Sequence, residues 1–188
     1  MEPTPAPRSP SRRTLLGLAV PAALVVAWFA VKQGVRTHVD GVIQASIGRP
    51  LADFSLEDTT GRRWTRQDLL GRRVVLHFFR SHCPTCDVEA PEYRAFEQEV
   101  GDNALILHVV TDRVMGFAPE ETARTIAQKA FRAPVLHADE AFMESLHKVE
   151  WSRVTPVTYL VDREGMIRTA LRGRQVQATL SDRLAGLP

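Results

Sequence analysis

Three stretches of this chain are apolar almost without a break, and most of the rest is apolar at a regular period. Two of the three, Val74-Val75-Leu76-His77-Phe78-Phe79 and Ala104 to Val110 (ALILHVV), have strand length and predict strands covered on both faces. Before them, Phe54 and Leu56 alternate with polar residues, and Asp58-Thr59-Thr60-Gly61 leads into Arg62-Arg63-Trp64-Thr65, which predicts a half-buried hairpin. Gln67 to Gly71 reads as a helical turn ended by glycine. Residues 84–100 carry a helical pattern, with Pro84 in the first turn, where a missing N–H costs little. Pro91 in mid-pattern predicts a kink. Pro119, followed by Glu120 and Glu121, opens a helix reaching Phe131. Pro134 to His137 predicts a short strand, and Asp139 caps a helix over 140–147. Pro156 to Val161 and Met166 to Leu171 predict two strands joined at Asp162-Arg163-Glu164-Gly165. A last helix follows over about 176–186, with Val176, Leu180, Leu184 and Leu187 on one apolar face. The alternation predicts an α/β fold with a mixed central sheet and helices on both faces.

The third apolar stretch is longer. Thr14 to Val31 (TLLGLAVPAALVVAWFAV) is 18 residues without a charge, just long enough to cross a bilayer as a helix. Trp28 and Phe29 fall near one end, as interfacial aromatics do. Residues 1–13 hold four prolines and three arginines and predict a disordered basic N-terminus. Residues 14–32 therefore read as one N-terminal transmembrane helix, with a slight charge bias toward N-terminus inside. The competing reading is a cleaved export signal, with its best cut after Ala27 and Val25 at the minus-three position. Ser11-Arg12-Arg13-Thr14-Leu15-Leu16 also resembles a twin-arginine signal. Every version places the body on the periplasmic side of the inner membrane or beyond. Residues 33–46, with Gly34 and Gly41, are expected to be a linker, and the folded domain is expected over 47–188. Residues 1–49 hold six basic and two acidic side chains, against 18 and 20 in the remainder. A nearly neutral body excludes a large nucleic-acid footprint.

Cys83-Pro84-Thr85-Cys86 contains the only two cysteines. A strand that stops at a Cys-x-x-Cys opening a helix is the layout of a dithiol redox site. The first sulfur then lies where unpaired N–H groups and the positive end of the helix dipole favour a thiolate, the nucleophile of disulfide exchange. The second sulfur, about a turn on, can resolve the mixed disulfide. Half of a zinc site and a purely structural disulfide are the alternatives. A closed zinc site needs four ligands, yet there is no second cysteine pair. The six histidines (His38, His77, His82, His108, His137, His147) show no His-x₃₋₅-His spacing. No cofactor is implied.

With these residues in place the chain resembles the thioredoxin-fold redoxins, in particular the membrane-anchored branch typified by TlpA and ResA. The resemblance covers about residues 47–172. IGRPLADFSLEDTTGRRWTRQDLLGRRVVLHFFRSHCPTC is similar to the family's opening through its active site. Pro91 falls on its helix-kink proline, and PVLHADEAFMESLHKVEWSRVTPVTYLVDREGMI resembles its run to the terminal hairpin. The resemblance implies a thiol–disulfide oxidoreductase with an N-terminal hairpin extension, acting on protein thiols and disulfides and drawing on a membrane electron donor. Cys83 would be the exposed attacking thiolate and Cys86 the resolving thiol. Pro156, if cis, would lie against the dithiol and leave the backbone of Thr155 free to pair with an extended target.

Two positions depart from the family pattern. His82 stands where tryptophan is usual, either stabilising the neighbouring thiolate when protonated or lying idle in solvent. His77, six residues before Cys83, is either a proton acceptor for the resolving thiol or a core histidine satisfied by a backbone carbonyl; His108 takes the second reading. Copper-binding assembly chaperones of the same fold are the alternative function. Their cysteines are separated by three residues, where Cys83 and Cys86 are separated by two, and Val154 stands where their distant histidine is expected. A peroxiredoxin would need threonine at Arg80 and proline at Leu76. Oxidant and reductant share the fold, since local effects set the potential.

Overall fold

The computed structural model describes residues 12–146 and 148–188, with the side chains of all but residues 12–22 and Trp151. The chain divides into two compact units, the second running from Asp40 to Pro188. Helix α1 (Arg12–Gln44) supplies the first unit and starts the second. Residues 33–46, expected as a linker, are thus helical up to Gln44. Gly34 and Gly41 each cost a helix about 1 kcal/mol, too little to end it without a left-handed cap. The last turn belongs to the body: Ile43 is fully buried, Gln44 Nε2 donates to the Ala170 carbonyl at 2.9 Å, and Asp40 pairs with Arg172. The body therefore begins near Asp40 and not at Ile47. The disorder expected over residues 1–13 falls almost wholly outside the described residues. So do the side chains of residues 14–22, half of the expected membrane span. Among the described residues no helix is long and apolar enough to cross a membrane.

The body is a five-stranded sheet in the order β5-β4-β3-β6-β7. The strands are β3 (Val74–Phe79), β4 (Leu105–Val110), β5 (Val135–His137), β6 (Val157–Val161) and β7 (Ile167–Arg172). β3, β4 and β5 run parallel, and β6 and β7 antiparallel beside β3. Every residue of β3, β4 and β6 is buried, which is why those stretches carry no polar alternation. On one face lie α2 (Pro84–Val100), α3 (Pro119–Lys129) and α5 (Gln177–Ala185). There Tyr93, Phe96 and Val100 of α2 meet Leu180 and Leu184 of α5 over Val75, Ile106 and Leu160. On the other face α4 (Glu140–Leu146) sets Phe142 against Phe78, ring centroids 6.0 Å apart. Asp139 caps α4 through the Phe142 N–H at 2.8 Å. Val176 is not on the apolar face of α5; it precedes the helix as its N-cap and is 40% exposed. α3 stops at Lys129, because Ala130 turns left-handed (φ 50°) and directs Phe131 toward the sheet.

The hairpin of β1 (Ser55–Glu57) and β2 (Arg63–Thr65) extends the body beside β5, where the Thr59 N–H donates to the Val135 carbonyl at 3.0 Å. Asp58 organises its turn, accepting from Thr60 N, Thr60 Oγ1, Arg62 N and Trp64 Nε1. Asp162 does the same between β6 and β7, accepting from Glu164 N and Met166 N and pairing with Arg168. Burial would raise both carboxyls, but these donors outweigh it and hold them below the usual range. Gly165 completes the second turn at φ 79°, where a Cβ would also come within 3.1 Å of Leu70.

Candidate active site

β3 ends at Phe79, and the chain reaches the dithiol through Arg80, Ser81 and His82. Buried Asp112, beyond the end of β4, accepts from Ser81 N (2.8 Å), Ser81 Oγ (2.5 Å) and Thr122 Oγ1 (2.8 Å). From the other side Arg80 Nη1 donates to the carbonyls of Ser81 and His82, each at 2.8 Å. These bonds hold His82 at φ 51°, a left-handed conformation that costs a non-glycine residue about 1–3 kcal/mol. Asp112 and Ser81 were not singled out in the sequence. The available signal was a polar Thr111-Asp112 pair directly after a strand apolar but for His108.

Cys83 is the N-cap of α2. Its Sγ accepts the Cys86 N–H at 3.2 Å, and Pro84 fills the next position. One of the helix's free N–H groups is therefore spent on sulfur. Cys83 and Cys86 are joined as a disulfide, with their Cα atoms 5.2 Å apart. The Thr155–Pro156 peptide is cis, and Thr155 lies against the sulfur, with Oγ1 donating to Cys83 Sγ at 3.6 Å and its carbonyl oxygen 3.7 Å away. Two expectations need correction. Cys83 is not exposed: it is 3% accessible and Cys86 1%, because Thr155 covers the sulfur and Phe79, Val110 and Val135 pack beneath the pair. Nor is the Thr155 backbone wholly free, since its N–H donates to the Arg153 carbonyl at 3.1 Å. Its carbonyl is what faces the dithiol.

The two histidines beside the site also differ from expectation. His82 turns toward α3, pairing with Glu121 through Nε2 and setting its ring 5.6 Å from that of Phe117. Phe117 continues into a groove of about 600 Å³ along α3, which Arg113, Ile126 and His137 also line. His77 is fully buried, and side chains rather than a backbone carbonyl satisfy it: Nε2 meets Glu89 Oε2 at 3.2 Å and Nδ1 meets His108 Nδ1 at 2.8 Å. His108 Nε2 meets Glu97 Oε1 at 2.8 Å. Glu89 was missed as well; a carboxylate three residues after Cys86, on the helix face carrying Tyr93 and Phe96, was its signal.

Burial lowers His77 to about 3, helped by the Lys129 ammonium. Burial also lowers His108, to about 4, against the opposing hydrogen bond to Glu97. Glu89 goes the other way: burial lifts it to about 7 despite the Gln175 N–H on Oε1. For Glu97 the bonds from His108, Arg132 N and Ala133 N outweigh burial and hold the carboxyl low.

A pH dependence follows from linkage. Each imidazole binds its proton less readily folded than unfolded, so its stabilising contribution is intact above pH 6.5 and is lost as pH falls toward 4 and 3. Glu89 opposes this between pH 7 and 4.5, but two rings outweigh one carboxyl. The urea midpoint is therefore expected to be lower at pH 5 than at pH 7; an equal or higher midpoint contradicts the buried neutral pair.

A sequence profile of the AhpC/TSA family matches residues 47–170. The thiol:disulfide interchange protein DsbE of Pseudomonas aeruginosa is 25% identical over 178 residues, 94% of this chain and 93% of that protein. The mitochondrial protein SCO1 homolog of Homo sapiens is 31% identical over 113 residues, 58% of this chain but 37% of its own length. Among solved structures, the exposed lipoprotein thioredoxin Etrx1 of Streptococcus pneumoniae superposes with a TM-score of 0.62 at 23% identity, covering 72% of this chain and all of that one. The fold is thioredoxin-like, and the chain belongs to the AhpC/TSA family.

Proposed function

We propose that this protein is a thiol–disulfide oxidoreductase of the DsbE type, exchanging disulfides with other proteins through Cys83 and Cys86. The observation that carries the reading is the asymmetry of the two sulfurs. Cys83 Sγ takes the Cys86 N–H and the Thr155 hydroxyl, groups that stabilise a sulfur anion. Cys83 is therefore the attacking thiolate, and Cys86 the thiol that resolves the mixed disulfide. An incoming chain meets Cys83 at the Thr155 carbonyl, and the covering threonine must move aside for attack along the S–S axis.

The body is held outside the cytoplasm by residues 14–32, where a membrane electron donor could renew the dithiol. Two observations support tethering: Leu24, Val26, Phe29 and Val31 of α1 are 67%, 68%, 60% and 68% exposed, and the likeness to DsbE spans 94% of the chain. Copper handling is the second reading, carried over from the resemblance to copper-binding assembly chaperones of the same fold. It rests on the two sulfurs alone, for among the described residues no group of three or more His, Cys, Asp or Glu could hold a metal.

The test is exchange with a protein disulfide by the full chain in detergent, with Cu(I) titrated in parallel. Catalysed exchange that Cys83→Ser abolishes supports the proposal. No exchange together with tight stoichiometric Cu(I) binding would replace it with the metal reading.

A further inference from the structure

The Glu89–His77–His108–Glu97 array crosses the interior from the dithiol's helix to the far end of the same helix. The parallel register of β3 and β4 sets His77 directly beside His108, and α2 supplies both carboxyls, two turns apart. The four side chains join end to end through contacts of 3.2, 2.8 and 2.8 Å. The ring nitrogens are paired in a line, not aimed at one point, so the cluster is no metal site. Tyr93 stacks on His77 with ring centroids 3.8 Å apart, and Phe131 on His108 at 3.7 Å. Each ring is thereby covered on one face, and both histidines are fully buried.

The donors can be assigned in sequence. Glu97 accepts two backbone N–H groups, from Arg132 and Ala133, and so also accepts from His108 Nε2–H. A neutral His108 then has a bare Nδ1, which accepts from His77 Nδ1–H. His77 Nε2 is bare in turn, and Glu89 must donate to it as a carboxylic acid. Each member is both donor and acceptor, which is the requirement for passing a proton along without an imidazolium persisting. The charged groups nearby are Lys129 of α3, paired with Asp87, and Arg174 after β7, paired with Glu92. Neither interrupts the line.

We propose that these four residues form a proton relay that carries the proton of the resolving thiol from Cys86 to Glu97 and returns it when the disulfide reopens. The proposal rests on the oxidoreductase reading above. Glu89 follows Cys86 by three residues on the buried face of α2. Its Oε1 accepts from Gln175 N, two residues past the Gly173 N–H that donates to the Pro156 carbonyl. During closure the Cys86 S–H proton passes to this oxygen. The Glu89 proton on Oε2 moves to His77 Nε2, that on His77 Nδ1 to His108 Nδ1, and that on His108 Nε2 to Glu97. The Cys86 thiolate attacks the Cys83 sulfur, the bond from Cys83 to the partner breaks, and the partner's sulfur leaves with the electron pair as a thiolate, protonated from solvent. Cys86 is oxidised and the partner sulfur reduced. His77, His108 and Glu97 touch no reacting sulfur; they act through Glu89.

The test mixes the reduced full chain with oxidised glutathione, quenches with acid, and follows the mixed disulfide and the closed form by mass. Glutamine at position 108 can still donate to Glu97 and accept from His77 but cannot hand on a proton. His108→Gln is expected to slow closure by about 10- to 100-fold, at or below the usual contribution of general acid–base catalysis. It should also reduce the solvent deuterium isotope effect on closure and make the rate depend on imidazole concentration. Glu97→Gln, at the rim, is expected to do the same and serves if His108→Gln does not fold. Closure at the wild-type rate, or slowed closure with an unchanged isotope effect and no imidazole rescue, overturns the relay alone. A wild-type chain that forms no glutathione mixed disulfide overturns the oxidoreductase reading and the relay with it.

Discussion

Replacing Cys86 with alanine will leave the protein covalently joined to its partners through Cys83, visible as high-mass species that disappear on reduction. The expectation follows from the two sulfurs' positions. In the proposed mechanism Cys83, at the helix N-cap, attacks first and becomes the sulfur held in the mixed disulfide. With Cys86 gone nothing within a helical turn can displace the partner, and the intermediate accumulates. The reciprocal Cys83→Ala variant lacks the attacking sulfur and should trap nothing, with exchange down by roughly 10³-fold or more, as for loss of other catalytic nucleophiles. Equal trapping by both variants would mean that the roles of the sulfurs are wrongly assigned.

Asp112→Ala is expected to be the most damaging single change outside the dithiol. It removes the acceptor for Ser81 N, Ser81 Oγ and Thr122 Oγ1 in a site where Asp112 and Ser81 are buried. The Ser81 and Thr122 hydroxyls keep Thr125 Oγ1 and the Ala118 carbonyl as partners, but the buried Ser81 N–H is left without an acceptor, which should cost about 1–3 kcal/mol of a domain's total of about 5–15 kcal/mol. The same bonds hold the loop that carries His82 at positive φ into Cys83, so disulfide exchange should fall even at temperatures where the variant stays folded. Asp112→Asn retains one acceptor oxygen and should lose less. Urea unfolding and exchange rates measured on the same samples separate the two effects; an Asp112→Ala protein of normal stability would show that the loop is held by other means.

The chain order of strands and helices was legible because the central strands are covered on both faces, and an uninterrupted apolar run of strand length fits little besides a buried strand. The dithiol was legible for a similar reason: all its elements lie within about ten residues of sequence. The buried array was not, although its components were noticed. His108 was read as a core histidine and His77 as either that or a proton acceptor for the resolving thiol, and neither reading joined the two. Their partnership depends on the parallel register that sets VVLHFF against LILHVV, with histidine fourth in both. The shared position was a readable signal only once those two strands were paired. Glu89 and Asp112 escaped because a polar residue next to an apolar run looks like a boundary, and what they bind lies 12 and 31 residues away. Exposure of Cys83 was implied by the family resemblance, which does not register that Thr155 lies over the sulfur.

The central claim is that the Cys83 sulfur is held ready as an anion at the head of α2. The most direct test is the alkylation rate of reduced Cys83 as a function of pH, in the Cys86→Ala protein and in the same protein carrying Thr155→Val. The account predicts a half-maximal rate below pH ~8.5, the ordinary value for a free cysteine, and a midpoint displaced upward when the Thr155 hydroxyl is removed. A midpoint at or above that of a free thiol, unmoved by Thr155→Val, would contradict it.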